Sequence, residues 1–192
     1  MSGIEIAPQP ASPPRYGAVA QALHWLTAVL VLIAFILGPG GNEQRVYSAA
    51  HAVDRPIHET IGLCVFALVL ARLAWRRIAR PPQLPPMHAA LRLLARTFHA
   101  ALYVLLLGVP LTAIFGAWLE GHPLTLVGGL EIAPWIAESH AVGTKVASIH
   151  QLLGDVLIWL AGFHAAAAMI HHFVLRDGVL RAMLPSRAGR AR

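Results

Sequence analysis

The sequence predicts an all-α fold, an integral membrane four-helix bundle of one domain, and three observations carry that prediction. Of 192 residues, 57% are hydrophobic and only 12% charged, a balance foreign to a soluble domain of this length. Four apolar runs, at roughly 17–38, 57–79, 92–119 and 143–175, each reach the roughly 20 residues needed to cross the hydrocarbon of a bilayer. These runs are much longer than barrel strands, so helices, which satisfy their own backbone hydrogen bonds in lipid, are the expected element.

Residues 1–14, with four prolines and no apolar period, read as a flexible tail. Residues 15–185 read as the four-helix transmembrane domain and 186–192 as a basic C-terminal tail. The first run lacks a preceding Lys/Arg cluster and a small-residue cleavage site before Gly38-Pro39-Gly40-Gly41, which predicts a retained helix. Between the second and third runs, Pro81-Pro82-Gln83-Leu84-Pro85-Pro86 cannot continue a helix and predicts an extended connector. The stretch 121–139, with His122-Pro123, Gly128-Gly129 and Pro134-Trp135, predicts a partly ordered interfacial loop, a candidate cover for a site.

A net charge of +6 is compatible with nucleic-acid binding, but the arginines flank apolar runs instead of building a basic domain, so no nucleic-acid partner is expected. They act as topology signals. Arg15, Arg76, Arg77, Arg80, Arg92, Arg96, Arg176, Arg181, Arg187, Arg190 and Arg192 fall on one side of the predicted membrane. Arg45, Arg55 and Lys145 fall on the other, with most of the acidic residues, so both termini are expected in the cytoplasm. Cys64 is the single cysteine, which excludes an intramolecular disulfide, a zinc ribbon and covalent Cys-x-x-Cys-His haem attachment.

Histidine within lipid is costly enough to mark a functional candidate when it faces the bundle interior. His150 and His164 on the fourth helix are fourteen residues apart, about 21 Å of rise and within about 40° of one direction, so both imidazoles face one interior at different depths. Matching depth pairs His58 with His150 near the outer face and His24 with His164 near the inner face. Each pair has the chemistry to clamp one iron, and two axial imidazoles leave no open position, which favours electron transfer over oxygen binding. A hydrogen-bonded packing role is the competing reading of any single one of these histidines. His99, also near the inner face, competes with His24 for the place opposite His164.

His171 follows His164 by seven residues on nearly the same face and is a candidate contact for quinone or a haem propionate, or else an interfacial histidine reaching water. Arg15 is a second candidate of that kind. His51, His88, His122 and His140 are expected in loops as solvated side chains. Gly62 and Gly154, each four residues after a paired histidine, and the small-residue run Gly162 to Ala168 around His164 leave the room that a flat macrocycle needs, although close helix packing also favours such residues.

Three stretches carry a resemblance. They are Arg15-Tyr16-Gly17 with Leu23-His24-Trp25-Leu26, then Ile57-His58-Glu59-Thr60-Ile61-Gly62, and finally His150-Gln151-Leu152-Leu153-Gly154 continuing through His164-Ala165-Ala166-Ala167-Ala168 to His171-His172-Phe173-Val174-Leu175-Arg176-Asp177-Gly178-Val179-Leu180 and Met183-Leu184-Pro185. In these the sequence resembles the bacterial cytochrome b561 family. The resemblance implies a bundle with two b haems, ligated by His24 with His164 and by His58 with His150, in the bacterial inner membrane. It also implies electron transfer between an outer-face reductant, superoxide in some members, and membrane quinone such as ubiquinone. Gln151 departs from the family pattern, in which glutamate follows the histidine. Two further readings stand beside this one: a cytochrome subunit fed by a separate dehydrogenase or soluble redox partner, and a haem-free histidine-based metal transporter.

Overall fold

The computed structural model describes residues 15–79, 82 and 88–185. The predicted tails at 1–14 and 186–192 and, apart from Pro82, the proline connector lie outside the described residues. Four long helices dominate: α1 (Ala18–Leu37), α3 (Asp54–Ile78), α4 (Ala89–Leu119) and α5 (His140–Ile170). Each is long and apolar enough to cross a membrane, α5 together with the turn that follows it. Two short helices, α2 (Glu43–Val46) and α6 (Val179–Ala182), lie in the connections.

Three of the four long helices begin about one turn earlier than the apolar pattern predicts. The first turn of α3, Asp54-Arg55-Pro56, is polar and so invisible to a hydropathy count, whereas α4 and α5 begin with Ala89-Ala90-Leu91 and His140-Ala141-Val142, which extend the apolar run toward its flanking loop. Asp54 at the start of α3 and Arg76 and Arg77 at its end complement the helix dipole. The stretch 121–139 contains a small antiparallel pair, β1 (Leu124–Thr125) with β2 (Glu131–Ile132), in which Leu124 pairs with Ile132. Gly128 and Gly129, at φ of 91° and 81°, make the reversal between the two strands.

The bundle is two antiparallel hairpins, α1 against α3 and α4 against α5, joined mainly where α3 meets α4. Val65, Val69, Leu105, Leu106 and Leu157 form its buried centre. Large apolar side chains such as Leu32, Ile36, Val104 and Trp159 face outward, where the bilayer is the solvent. Glycine permits a close approach of α5 to the end of α4: a Cβ on Gly143 would stand 2.8 Å from the backbone nitrogen of Glu120.

The two ends of the described chain meet. Tyr16 N–H donates to Ala182 O at 3.0 Å, and the buried Gln21 amide donates to the carbonyls of Tyr16, Ala182 and Leu184. Trp25 Nε1 donates to Met183 O at 2.8 Å. This end, with Arg15, Arg76, Arg77, Arg176 and Arg181, is the basic end. The opposite end, with α2 and the β1–β2 pair, is the loop end.

Candidate functional site

At the loop end, the helix terminus itself builds half of the site. The last four carbonyls of α1 have no partner within the helix. One of them, Ala34 O, accepts a hydrogen bond from His58 Nδ1 at 2.8 Å. Gly38 permits this approach, since a Cβ there would meet His58 Cε1 at 3.3 Å. Opposite, His150 Nδ1 donates to Val109 O at 2.9 Å, a carbonyl that also accepts from Thr112 Oγ1 at 2.8 Å. Both imidazoles therefore carry their proton on Nδ1, leaving the Nε2 lone pairs available. Their ring centres stand 6.1 Å apart.

Between and around these rings lies a cavity of about 440 Å³ bounded by Gly62, Gly154, Leu106, Leu157 and Pro110. A Cβ added to Gly62 or Gly154 would meet nothing within 4 Å, so neither glycine is there for helix packing. Imidazole nitrogens bind metals at about 2 Å, which places two opposed ring centres roughly 6 Å apart once the ring radii are added. The donor set, the spacing and the cleared glycines fit a flat macrocycle with two axial histidines.

At the basic end, His24 and His164 have ring centres 6.2 Å apart, the same spacing. The surroundings differ. Arg72 Nη2 lies 3.1 Å from His24 Nδ1, and a guanidinium only donates, so this Nδ1 accepts and the imidazole proton sits on Nε2. That is the opposite tautomer from His58 and His150. His99 also reaches His164, with ring centres 5.2 Å apart, closer than an intervening metal would set them, while its own Nδ1 donates to Ala95 O at 2.6 Å. Phe98 stacks on His164 at 6.3 Å. His24 therefore suits the place opposite His164 better than the exposed His99, provided that Arg72 withdraws.

The mouth of the loop-end cavity is polar and interlocked. Glu43 accepts from His122 Nε2 at 2.7 Å and from His140 Nε2 at 2.6 Å, joining α2, the loop after α4 and the first turn of α5. These two histidines, expected to be merely solvated, are held because one carboxylate offers two oxygens between them. The His122 bond, more than the His140 bond, holds the Glu43 carboxyl below its ordinary range. Tyr47 stacks on His122 at 3.5 Å, and Arg55 pairs with Glu59 at 3.0 Å. Burial pushes Glu120 upward, helped by the negative charge of Glu43. Gln151 makes a reciprocal pair with the Gly41 backbone, donating to its O at 2.8 Å and accepting from its N–H at 3.2 Å. A glutamate could make only the second of these bonds.

His171 opens a π-helical turn, His171–Leu175, that interrupts the predicted continuous helix, and its Nδ1 bonds to Asp177 Oδ2. Burial opposes ionisation of Asp177, but the His171 bond and the Val179 amide outweigh it and hold the carboxyl low. Arg15 donates to Leu184 O at 3.4 Å. Sequence reasoning missed Arg72 and Glu43. An arginine inside an apolar span was a visible signal for the first, whereas the contacts of Glu43 reach 79 and 97 residues away.

A family model described as prokaryotic cytochrome b561 matches residues 15–186. Cytochrome b561 homolog 2 of Escherichia coli is 30% identical to the chain, covering 90% of the chain and 93% of that protein. A protein of Yersinia pestis named probable superoxide oxidase CybB is 27% identical, covering 91% and 98%. Cytochrome b562 of Cereibacter sphaeroides is 28% identical, with the same coverage.

Proposed function

The chain belongs to the prokaryotic cytochrome b561 family of membrane electron-transfer cytochromes, which carry b-type haem, and from that premise we propose that it is a diheme quinone-linked oxidoreductase. In this reading His58 and His150 hold one haem at the loop end, and His24 and His164 hold the other at the basic end. When bound, b-type haem supplies the one-electron couple for this transfer. The observation that carries the reading is the loop-end pair: two imidazoles 6.1 Å apart across a cleared cavity, each with its Nδ1 proton committed to a carbonyl.

The protein's own residues do the remaining work. Ala34 O and Val109 O fix ring orientation and raise the basicity of Nε2. The apolar walls, Leu106 and Leu157 among them, keep water from the site and so set its dielectric. The Glu43, His122 and His140 clamp with the Gln151–Gly41 pair holds the mouth through which an outer-face reductant delivers its electron. Superoxide is the leading candidate reductant, supported by the name of the Yersinia pestis relative. Membrane quinone, such as ubiquinone, is the acceptor at the basic end, where His171 and Arg15 are the proposed contacts to quinone or to a haem propionate. The arginine asymmetry supports placement in the bacterial inner membrane with both termini in the cytoplasm.

Superoxide-driven reduction of a water-soluble ubiquinone by the purified protein tests this reading. Wild type should reduce quinone and His171→Ala should raise KM for quinone more than it lowers kcat. Quinone reduction that requires an added dehydrogenase would instead identify a subunit fed by a separate enzyme.

A further inference from the structure

At the basic end, the chain leaves the membrane through an unusual turn. After the π turn, Arg176 sits at φ 54° in the left-handed region and Gly178 at φ 81°, and α6 follows at once. This reversal encloses a crevice of about 370 Å³ lined by His172, Phe173, Arg176, Gly178 and Arg181. We infer that this crevice binds the phosphate headgroup of an anionic phospholipid, gripped by Arg176 and Arg181.

Four features converge on that ligand. Left-handed backbone is met most cheaply by glycine or asparagine, so an arginine at 176 gains nothing from its main chain, and what it adds is a cationic side chain at a crevice that it lines. Asp177, the carboxylate between the arginines, is turned away to His171 and to the Val179 amide. Among the described residues, no ion pair engages Arg176 or Arg181, so two positive charges face one crevice without a protein counter-ion. Phe173, Val174 and Leu175 beside it are 62%, 71% and 58% exposed. They lie where a membrane span ends, so an acyl chain can cover them while guanidinium groups pair with phosphate oxygens. A free phosphate shares the charge chemistry but leaves that apolar rim uncovered. The inference does not depend on the electron-transfer reading.

The test compares the thermal midpoint of the full-length holoprotein in phosphatidylcholine nanodiscs with that in discs containing phosphatidylglycerol, for wild type and for an Arg176→Asn/Arg181→Gln double variant. Asparagine tolerates the left-handed backbone at 176, and an unchanged visible spectrum verifies folding. Wild type should gain several degrees from phosphatidylglycerol, the double variant less than half of that gain, and Arg77→Gln the full gain. An equal gain in the double variant overturns the proposal. So does an equal gain for wild type in phosphatidylcholine discs given inorganic phosphate, which would make the ligand a free anion.

Discussion

The two histidine pairs have almost the same ring spacing, 6.1 Å at the loop end and 6.2 Å at the basic end, and very different surroundings. At the loop end main-chain carbonyls set both tautomers, and glycines hold the space open. At the basic end a guanidinium sets the tautomer of His24 against ligation, and His99 crowds the partner ring. A backbone acceptor cannot turn away, so the loop-end pair already holds the tautomer that the proposed ligation needs. A side-chain donor can turn away, so in the same proposal the basic-end pair becomes able to ligate only when Arg72 moves. One helix, α5, serves both layers, and the contrast therefore comes from what α1, α3 and α4 bring to it.

Filling the loop-end space gives the largest effect. Gly154→Leu places bulk where a Cβ meets nothing and should abolish the proposed loop-end haem while the basic-end haem is retained, read by pyridine haemochrome content and redox titration. Retention of both haems would mean that the cavity is not the haem site.

A smaller effect separates the layers through Arg72. Arg72→Met removes a positive charge beside His24, which favours the oxidised state of the nearby haem. One midpoint potential should fall by tens of millivolts while the other stays in place. An equal shift in both would erase the distinction drawn between the two ends.

The smallest effect is on acid sensitivity at the mouth. The Glu43 carboxyl is held low in the folded protein, so its contribution is complete above the ordinary carboxylate value of about 4.3 and is lost as pH falls through the lowered folded value. Protection of residues 41–47 against hydrogen exchange, taken relative to the intrinsic rate at each pH, should fall across that acid window in wild type and show no such step in Glu43→Gln. An identical step in the variant would assign the acid sensitivity to another group.

The four crossings were legible because lipid demands long apolar helices, and the two layers because fourteen residues of helix return His164 to the face of His150. The partners that orient the rings were not legible. Ala34 and Val109 act through carbonyl oxygens that every residue possesses, so their side chains carry no signal. Which residue accompanies His164 was open between His24 and His99, and the ring spacings favour His24. The Glu43 clamp and the small β1–β2 pair arise from contacts between distant segments, which periodicity does not register. Gln151 was visible as a departure from the family pattern, but its bond to Gly41 required the fold.

Haem stoichiometry in the four histidine variants decides whether each histidine pair holds one haem. Wild type should bind two haems per chain. His58→Ala and His150→Ala should each lose the same single haem, and His24→Ala and His164→Ala should each lose the other, as identified by midpoint potential. Retention of both haems in His24→Ala together with loss in His99→Ala would contradict the basic-end pairing, and a single haem in the wild type would contradict the two-layer account itself.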